Sequence, residues 1–102
     1  GANAVINALV LSGLPMQRFS FLGFLPKKEG ERKKILEKYK MVEGAKVVYE
    51  SAQRLGKLIN EIKEIYGNMV EIRICREMTK KFEEIRNGIV GDGRGEVTVV
   101  FK

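Results

Sequence analysis

The sequence predicts an α/β domain: a mixed five-stranded sheet with helices packed on it. Three observations carry that expectation. Between Ala52 and Tyr66, Leu55, Leu58, Ile59, Ile62, Ile65 and Tyr66 fall at steps of three and four, a continuous helical stripe. Val70, Ile72 and Ile74 then alternate with Glu71, Arg73 and Cys75, the period of a strand. Gly91-Asp92-Gly93 precedes a run from Glu96 to Lys102 in which Val97, Val99 and Phe101 share one face. That turn favours an antiparallel hairpin, whereas the earlier helix-linked strands favour parallel pairing.

The elements follow in order. Asn3 is placed to cap a first helix containing Ala4, Val5, Ile6, Ala8, Leu9, Val10 and Leu11. It is apolar nearly all round, which predicts cover on more than one side. Gly13-Leu14-Pro15 stops it, and Phe19 to Leu25 reads as a short aromatic strand ended by Pro26. Lys27 to Lys40 predicts a helix with Ile35, Leu36 and Tyr39 inward and a solvated charged face, entered through the basic loop Lys27-Lys28-Glu29-Gly30. Gly44 ends it, and Lys46 to Tyr49 is a short strand. The helix from Ala52 closes at Gly67-Asn68. Phe82 to Val90 is read as a further strand, less cleanly patterned than its neighbours.

Composition bounds the chemistry. At 102 residues the chain holds one domain with a modest core. No apolar run approaches the roughly 18 residues of a membrane span. The single Cys75 forms no internal disulfide and, among apolar neighbours, reads as an inert thiol. Histidine is absent, which removes Ser-His-Asp and Cys-His nucleophile systems and His-ligated zinc. No P-loop, GxGxxG or paired-cysteine spacing occurs, so no metal is expected. Lys and Arg number 19 against 13 Asp and Glu, and the net +6 permits phosphate binding without requiring it. The opening Gly1-Ala2-Asn3-Ala4 has neither Met nor a charged leader, and runs at once into apolar sequence, as expected of a piece of a longer protein.

Three segments could carry function, and each has a plainer reading. Tyr49-Glu50-Ser51 stands where a strand hands over to a helix, the usual ligand position in open α/β sheets. Equally, Ser51 could simply cap the helix while Glu50 complements its dipole. Arg76-Glu77-Met78-Thr79-Lys80 follows the alternating strand, as a polar ligand cradle or as a solvated turn. Lys27, Lys28, Arg32, Lys33 and Lys34 form the densest basic cluster, either a phosphate contact or a solvated helix face diluted by Glu29, Glu31 and Glu37.

Taken together, these segments resemble one family. Gly1-Ala2-Asn3-Ala4, Ala8-Leu9 and Ser12-Gly13-Leu14-Pro15 resemble the opening of the second domain of the tetrapyrrole (corrin/porphyrin) methylase superfamily. Gly23-Phe24-Leu25-Pro26-Lys27-Lys28 with Gly30 and Arg32 is similar to one branch, the bacterial small-subunit ribosomal RNA 2′-O-ribose methyltransferases. Tyr49-Glu50-Ser51 with Arg54-Leu55 resembles that branch too, as do Arg76 to Lys80 with Glu83, Glu84 and Gly88, and Arg94-Gly95-Glu96. Asn87 stands where the branch usually has Arg, and the connection from Gly88 to Arg94 is shorter than its pattern.

The resemblance implies methyl transfer from S-adenosylmethionine to the ribose 2′-hydroxyl of a cytidine in small-subunit ribosomal RNA. It implies that residues 1–102 are the second of two domains, with the cofactor in the cleft against an N-terminal domain. A cytoplasmic homodimer is expected. The implied cofactor-facing residues are Ala2, Asn3, Ala4, Tyr49, Glu50, Arg76 and Glu77, and the implied RNA contacts are Lys27, Lys28 and Arg32. No catalytic base is assigned; Glu50, Glu77 or a group on the other domain could serve. Two alternatives stand beside this reading: a small-molecule tetrapyrrole methylase, and a non-catalytic basic interaction module.

Overall fold

In the computed structural model, the described residues are 2–14, 18–76 and 95–102, with side chains of the first helix described from Val5 onward. They form α1 (Ala2–Ser12), β1 (Phe19–Phe24), α2 (Glu29–Lys40), β2 (Ala45–Ser51), a 3₁₀ turn (Ala52–Arg54), α3 (Leu55–Tyr66), β3 (Ile72–Arg76) and β4 (Glu96–Phe101). The expected strand from Phe82 to Val90 and the Gly91-Asp92-Gly93 turn lie outside the described residues, so the described sheet has four strands.

The strands lie in the order β1-β2-β4-β3. β1 pairs with β2 in parallel, and β4 is antiparallel to both β2 and β3. Hence β1, β2 and β3 all run one way, and β4 is threaded between the last two. The mixed parallel and antiparallel sheet expected from the sequence is present. Its consequence for function is simple: Phe24, Ser51 and Arg76 end their strands at the same edge of the sheet.

Period-two alternation gives each face its own core. Ala45, Val47 and Val100 meet Val5, Ala8 and Leu9 of α1 on one side. Val48, Val97, Val99 and Phe101 meet Leu36 of α2 with Leu58 and Ile62 of α3 on the other. The helical stripe of α3 therefore does what its spacing predicts: Leu58 and Ile62 are buried. Tyr66 closes the lower end, its ring edge-on to Phe101 at 5.3 Å and its hydroxyl donating to the Leu36 carbonyl at 2.9 Å.

Helix α1 covers only part of its face. Its inner side is buried, while Ile6, Val10 and Leu11 are exposed, so the all-round apolar character is only half used among the described residues. The helix already includes Asn3, which is therefore not the cap the sequence suggested. The β1 half of the same sheet face is also open, leaving Phe19, Phe21 and Phe24 exposed.

Two glycines are conformationally required. Gly44, at φ +100°, lies so close to the Arg18 carbonyl that a Cβ would overlap it, and Ala45 N–H donates to that carbonyl at 3.1 Å. Gly23, at φ +66°, takes up a register shift in β1 between Phe21 and Gly23. The shift has a visible effect: Phe21 and Phe24, three apart, both reach the Tyr49 ring.

Candidate functional site

The carboxyl edge of the sheet gathers most of the residues singled out from sequence. Register places Tyr49, Thr98 and Cys75 in one row and Glu50, Val97 and Arg76 in the next. Glu50 and Arg76 are thus two strand spacings apart, roughly 10 Å. Because side chains alternate, the two rows face opposite sides of the sheet. Tyr49 and Cys75 pack with the α1 cluster, whereas Val97 belongs to the α2–α3 cluster.

On the α1 side, Tyr49 meets Phe21 at 5.3 Å edge-on and Phe24 at 5.4 Å, centroid to centroid. Phe21 and Phe24 are about half exposed, at 49% and 56%. This makes an aromatic shelf at the strand ends. The Cys75 thiol donates to the Ala8 carbonyl at 3.8 Å, which sets the middle of α1 level with the end of β3. The chain leaves α1 at Ser12 to enter β1 at Phe19, which is paired with Ala45 at the opposite edge. The first turn of α1, with Ala2, Asn3 and Ala4, accordingly points toward the carboxyl edge. These three residues form the start of the helix.

On the α2–α3 side the chemistry is ionic. Glu50 is buried; its Oε1 accepts from Ser51 N–H at 2.7 Å and from Arg54 Nε at 3.1 Å. Ser51 Oγ accepts from Arg54 N–H at 3.3 Å, so the plainer reading of Ser51 as a cap is present in the structure. Glu50 therefore braces the strand-to-turn junction and faces away from Tyr49.

Arg32 departs most from expectation. In place of a solvated position meeting phosphates, it is buried between α2 and α3. Nε and Nη2 donate to the two oxygens of Glu61 at 2.6 Å each, and Nη1 donates to the carbonyls of Pro26 and Lys27 at 3.2 and 2.8 Å. Mutual hydrogen bonding holds the Glu61 carboxyl below its ordinary range and raises the Arg32 guanidinium, both against the opposing cost of burial. The reason is geometric: Arg32 sits on the face of α2 carrying Leu36, one turn along. Lys27 and Lys28, by contrast, are exposed.

Lys27, Arg32, Glu50, Arg54, Lys57, Leu58 and Glu61 line a pocket of about 50 Å³ beside this pair. Arg54 and Lys57 were not singled out as binding residues from sequence. No local pattern marks them, since Glu50 lies in β2, Arg54 closes the 3₁₀ turn and Lys57 lies in α3. Glu77 lies outside the described residues, as do Met78, Thr79 and Lys80. No helix among the described residues is long and apolar enough to cross a membrane.

No family model matches the chain. It is similar to the ribosomal RNA small subunit methyltransferase I of Halalkalibacterium halodurans, 42% identical over 88 residues, covering 86% of this chain and 30% of that protein. The protein of the same name from Erythrobacter litoralis is 46% identical over 89 residues, covering 87% of this chain and 31% of the relative. That from Bacillus subtilis is 40% identical over 92 residues, covering 90% and 31%. The chain thus spans about a third of the length of the curated relatives it matches.

Proposed function

We propose that the chain is the second domain of a two-domain, S-adenosylmethionine-dependent methyltransferase of the tetrapyrrole methylase fold, acting on the 2′-hydroxyl of a cytidine in small-subunit ribosomal RNA. The observation that carries this reading is the similarity, over most of the chain, to proteins named ribosomal RNA small subunit methyltransferase I. The convergence of Tyr49, Arg76 and the first turn of α1 on one sheet edge supports it.

The residues fit an adenosine-bearing cofactor. The half-exposed Phe21 and Phe24 against Tyr49 offer a nucleobase a stacking surface. Arg76, exposed at the end of β3, supplies donors to a polar group. The small residues of Ala2-Asn3-Ala4 permit close approach of the helix start, and Glu77 follows Arg76 in chain order. The basic pocket is too small for the cofactor, since pockets enclosing such molecules run to roughly 300 Å³ or more. The cofactor, when bound, supplies an electrophilic methyl on a sulfonium. The chain's part is alignment, holding donor and acceptor so that the ribose oxygen lies behind the methyl carbon. Glu50 is a brace, its Oε1 accepting from both Ser51 and Arg54 on the face away from Tyr49, and no base is assigned.

Ile6, Val10 and Leu11 on the outer face of α1 suit cover by the N-terminal domain, in a protein that works as a cytoplasmic homodimer. The exposed Lys27 and Lys28 face RNA. The test is methylation of isolated small ribosomal subunits by the full-length parent protein with labelled S-adenosylmethionine, followed by mapping of the modified ribose. Label on a cytidine 2′-oxygen is expected, and Phe24→Ala should raise the KM for the cofactor about tenfold through lost stacking, in line with about 1–1.5 kcal/mol. Label confined to a tetrapyrrole, or no label at all, overturns the reading.

A further inference from the structure

We propose that the pocket formed by Lys27, Arg54 and Lys57 against the Arg32–Glu61 pair seats one backbone phosphate of a single-stranded RNA segment. The inference rests on the ribosomal RNA reading above and assigns that substrate a specific foothold.

Charge accounting comes first. Four cations and two carboxylates line the pocket. Glu61 is used at both oxygens by Arg32, and Glu50 is used by Arg54 and Ser51. Lys27 and Lys57 make no ion pair among the described residues, and Arg54 spends only Nε, leaving both terminal nitrogens without a hydrogen bond there. The pocket therefore holds an excess of two positive charges whose donors are uncommitted. Lys33, by comparison, already pairs with Glu64 at 3.2 Å.

Size decides the ligand class. A volume of about 50 Å³ accommodates a few water-sized groups, the scale of a phosphate and not of a nucleoside. The arrangement is also built in advance. Arg32 Nη1 holds the carbonyls of Pro26 and Lys27, which fixes the backbone carrying Lys27 at the rim. Glu50 Oε1 holds Arg54 from below. Arg32 is thus a positioning residue, and the phosphate meets the two lysines and the free fork of Arg54. The pocket opens on the same sheet edge as Tyr49 and Arg76, on the face that the Arg76 row shares and opposite to Tyr49. An RNA strand held there would cross the edge toward the aromatic shelf.

The experiment titrates the 102-residue chain with inorganic phosphate and, separately, with a ten-nucleotide cytidine oligoribonucleotide, reading backbone amide shifts and affinity across a salt series. Shifts centred on residues 27, 54 and 57 are expected, with the oligonucleotide binding more tightly than phosphate. Lys57→Ala should weaken the oligonucleotide about five- to tenfold and lower the log–log salt slope by about 0.7, one phosphate contact on a single strand. Lys38→Ala, at an exposed position on α2, should change neither. Equal losses from Lys38→Ala and Lys57→Ala would show a diffuse field and overturn the proposal. Binding of inorganic phosphate with no gain from the oligonucleotide would overturn the RNA assignment in favour of a free-anion site. In the parent protein, unaltered RNA KM in Lys57→Ala overturns the pocket while methylation itself stands. A parent that binds the oligonucleotide through Lys57 yet methylates no ribosomal RNA overturns the methylation reading and leaves the pocket supported.

Discussion

Arg32 presents the Nε–Nη2 side of its guanidinium to Glu61, each carboxylate oxygen accepting one hydrogen bond at 2.6 Å across a sequence separation of 29 residues. Their side chains are only 7% and 5% exposed. The pair joins α2 to α3 and, through Nη1, ties both helices to the loop after β1.

Breaking this pair from one side should be costly. Glu61→Ala leaves a buried guanidinium without its partner and should destabilise the domain by about 3–5 kcal/mol. Replacing both, as Arg32→Met with Glu61→Leu, should recover most of that loss. Urea unfolding of the three proteins checks this. A double variant no more stable than Glu61→Ala would mean that packing, and not the stranded charge, sets the cost.

Acid should act through the same carboxyl. The Arg32 hydrogen bond holds Glu61 below its ordinary range in the folded state. Its contribution is therefore fully present above the unfolded value of roughly 4.3 and is lost as pH falls through the folded value. Urea midpoints measured from pH 7 down to pH 3 should decline below about pH 4.3, and Glu61→Gln should flatten that decline. An identical acid limb in Glu61→Gln would assign the effect to other carboxylates.

Base should act through Tyr66. Burial pushes its hydroxyl up to about 12 from 10. The unfolded tyrosine ionises first, so stability present below pH 10 should fall as pH rises from there toward 12. Lys46 works in the other direction: burial lowers its folded value, so stability rises with pH as the folded lysine loses its proton and levels off once the unfolded lysine has lost its own. Tyr66→Phe separates the two: it should cost about 1 kcal/mol at neutral pH, through the lost bond to Leu36, and remove the alkaline decline. Persistence of the full decline would point away from Tyr66.

Two glycine substitutions should differ in sign. Gly44→Ala meets a positive φ and the Arg18 carbonyl, and should cost at least about 1–3 kcal/mol from backbone strain alone. Gly30→Ala, in the first turn of α2 with open space around it, should stabilise by up to about 1 kcal/mol. Thermal melts of the pair check both. A neutral Gly44→Ala would require the 41–45 turn to relax in a way the Arg18 contact forbids.

The fold was largely legible in the sequence because its signals are periodic. Leu58 and Ile62 advertise the buried side of α3, and the Val70–Cys75 alternation announces β3, though regular pairing begins two residues later and runs through Arg76. The placement of β4 between β2 and β3 was not legible, since strand order is decided by long-range pairing that no local pattern encodes. At the candidate site, the strand-end positions of Tyr49 and Arg76 were legible, and both lie at the carboxyl edge of the sheet. Arg32 was misjudged because a basic residue in a charge-dense helix reads as solvated until its distant partner, Glu61, is known. Arg54 and Lys57 went unmarked as a pocket for the same reason: the loop holding Lys27 reaches them only in the folded state.

The central position of β4 bears on how the domain is made. Until the ribosome has passed residue 95, β3 has no neighbour among the described strands, and the two apolar layers lack Val97, Val99, Val100 and Phe101. The nascent chain must carry a finished α3 and a strand unpaired among the described residues until the six residues of β4 emerge and zip both ladders at once. Folding is thereby deferred to a late, non-local step, and the interval before it is when this domain is most exposed to misassembly.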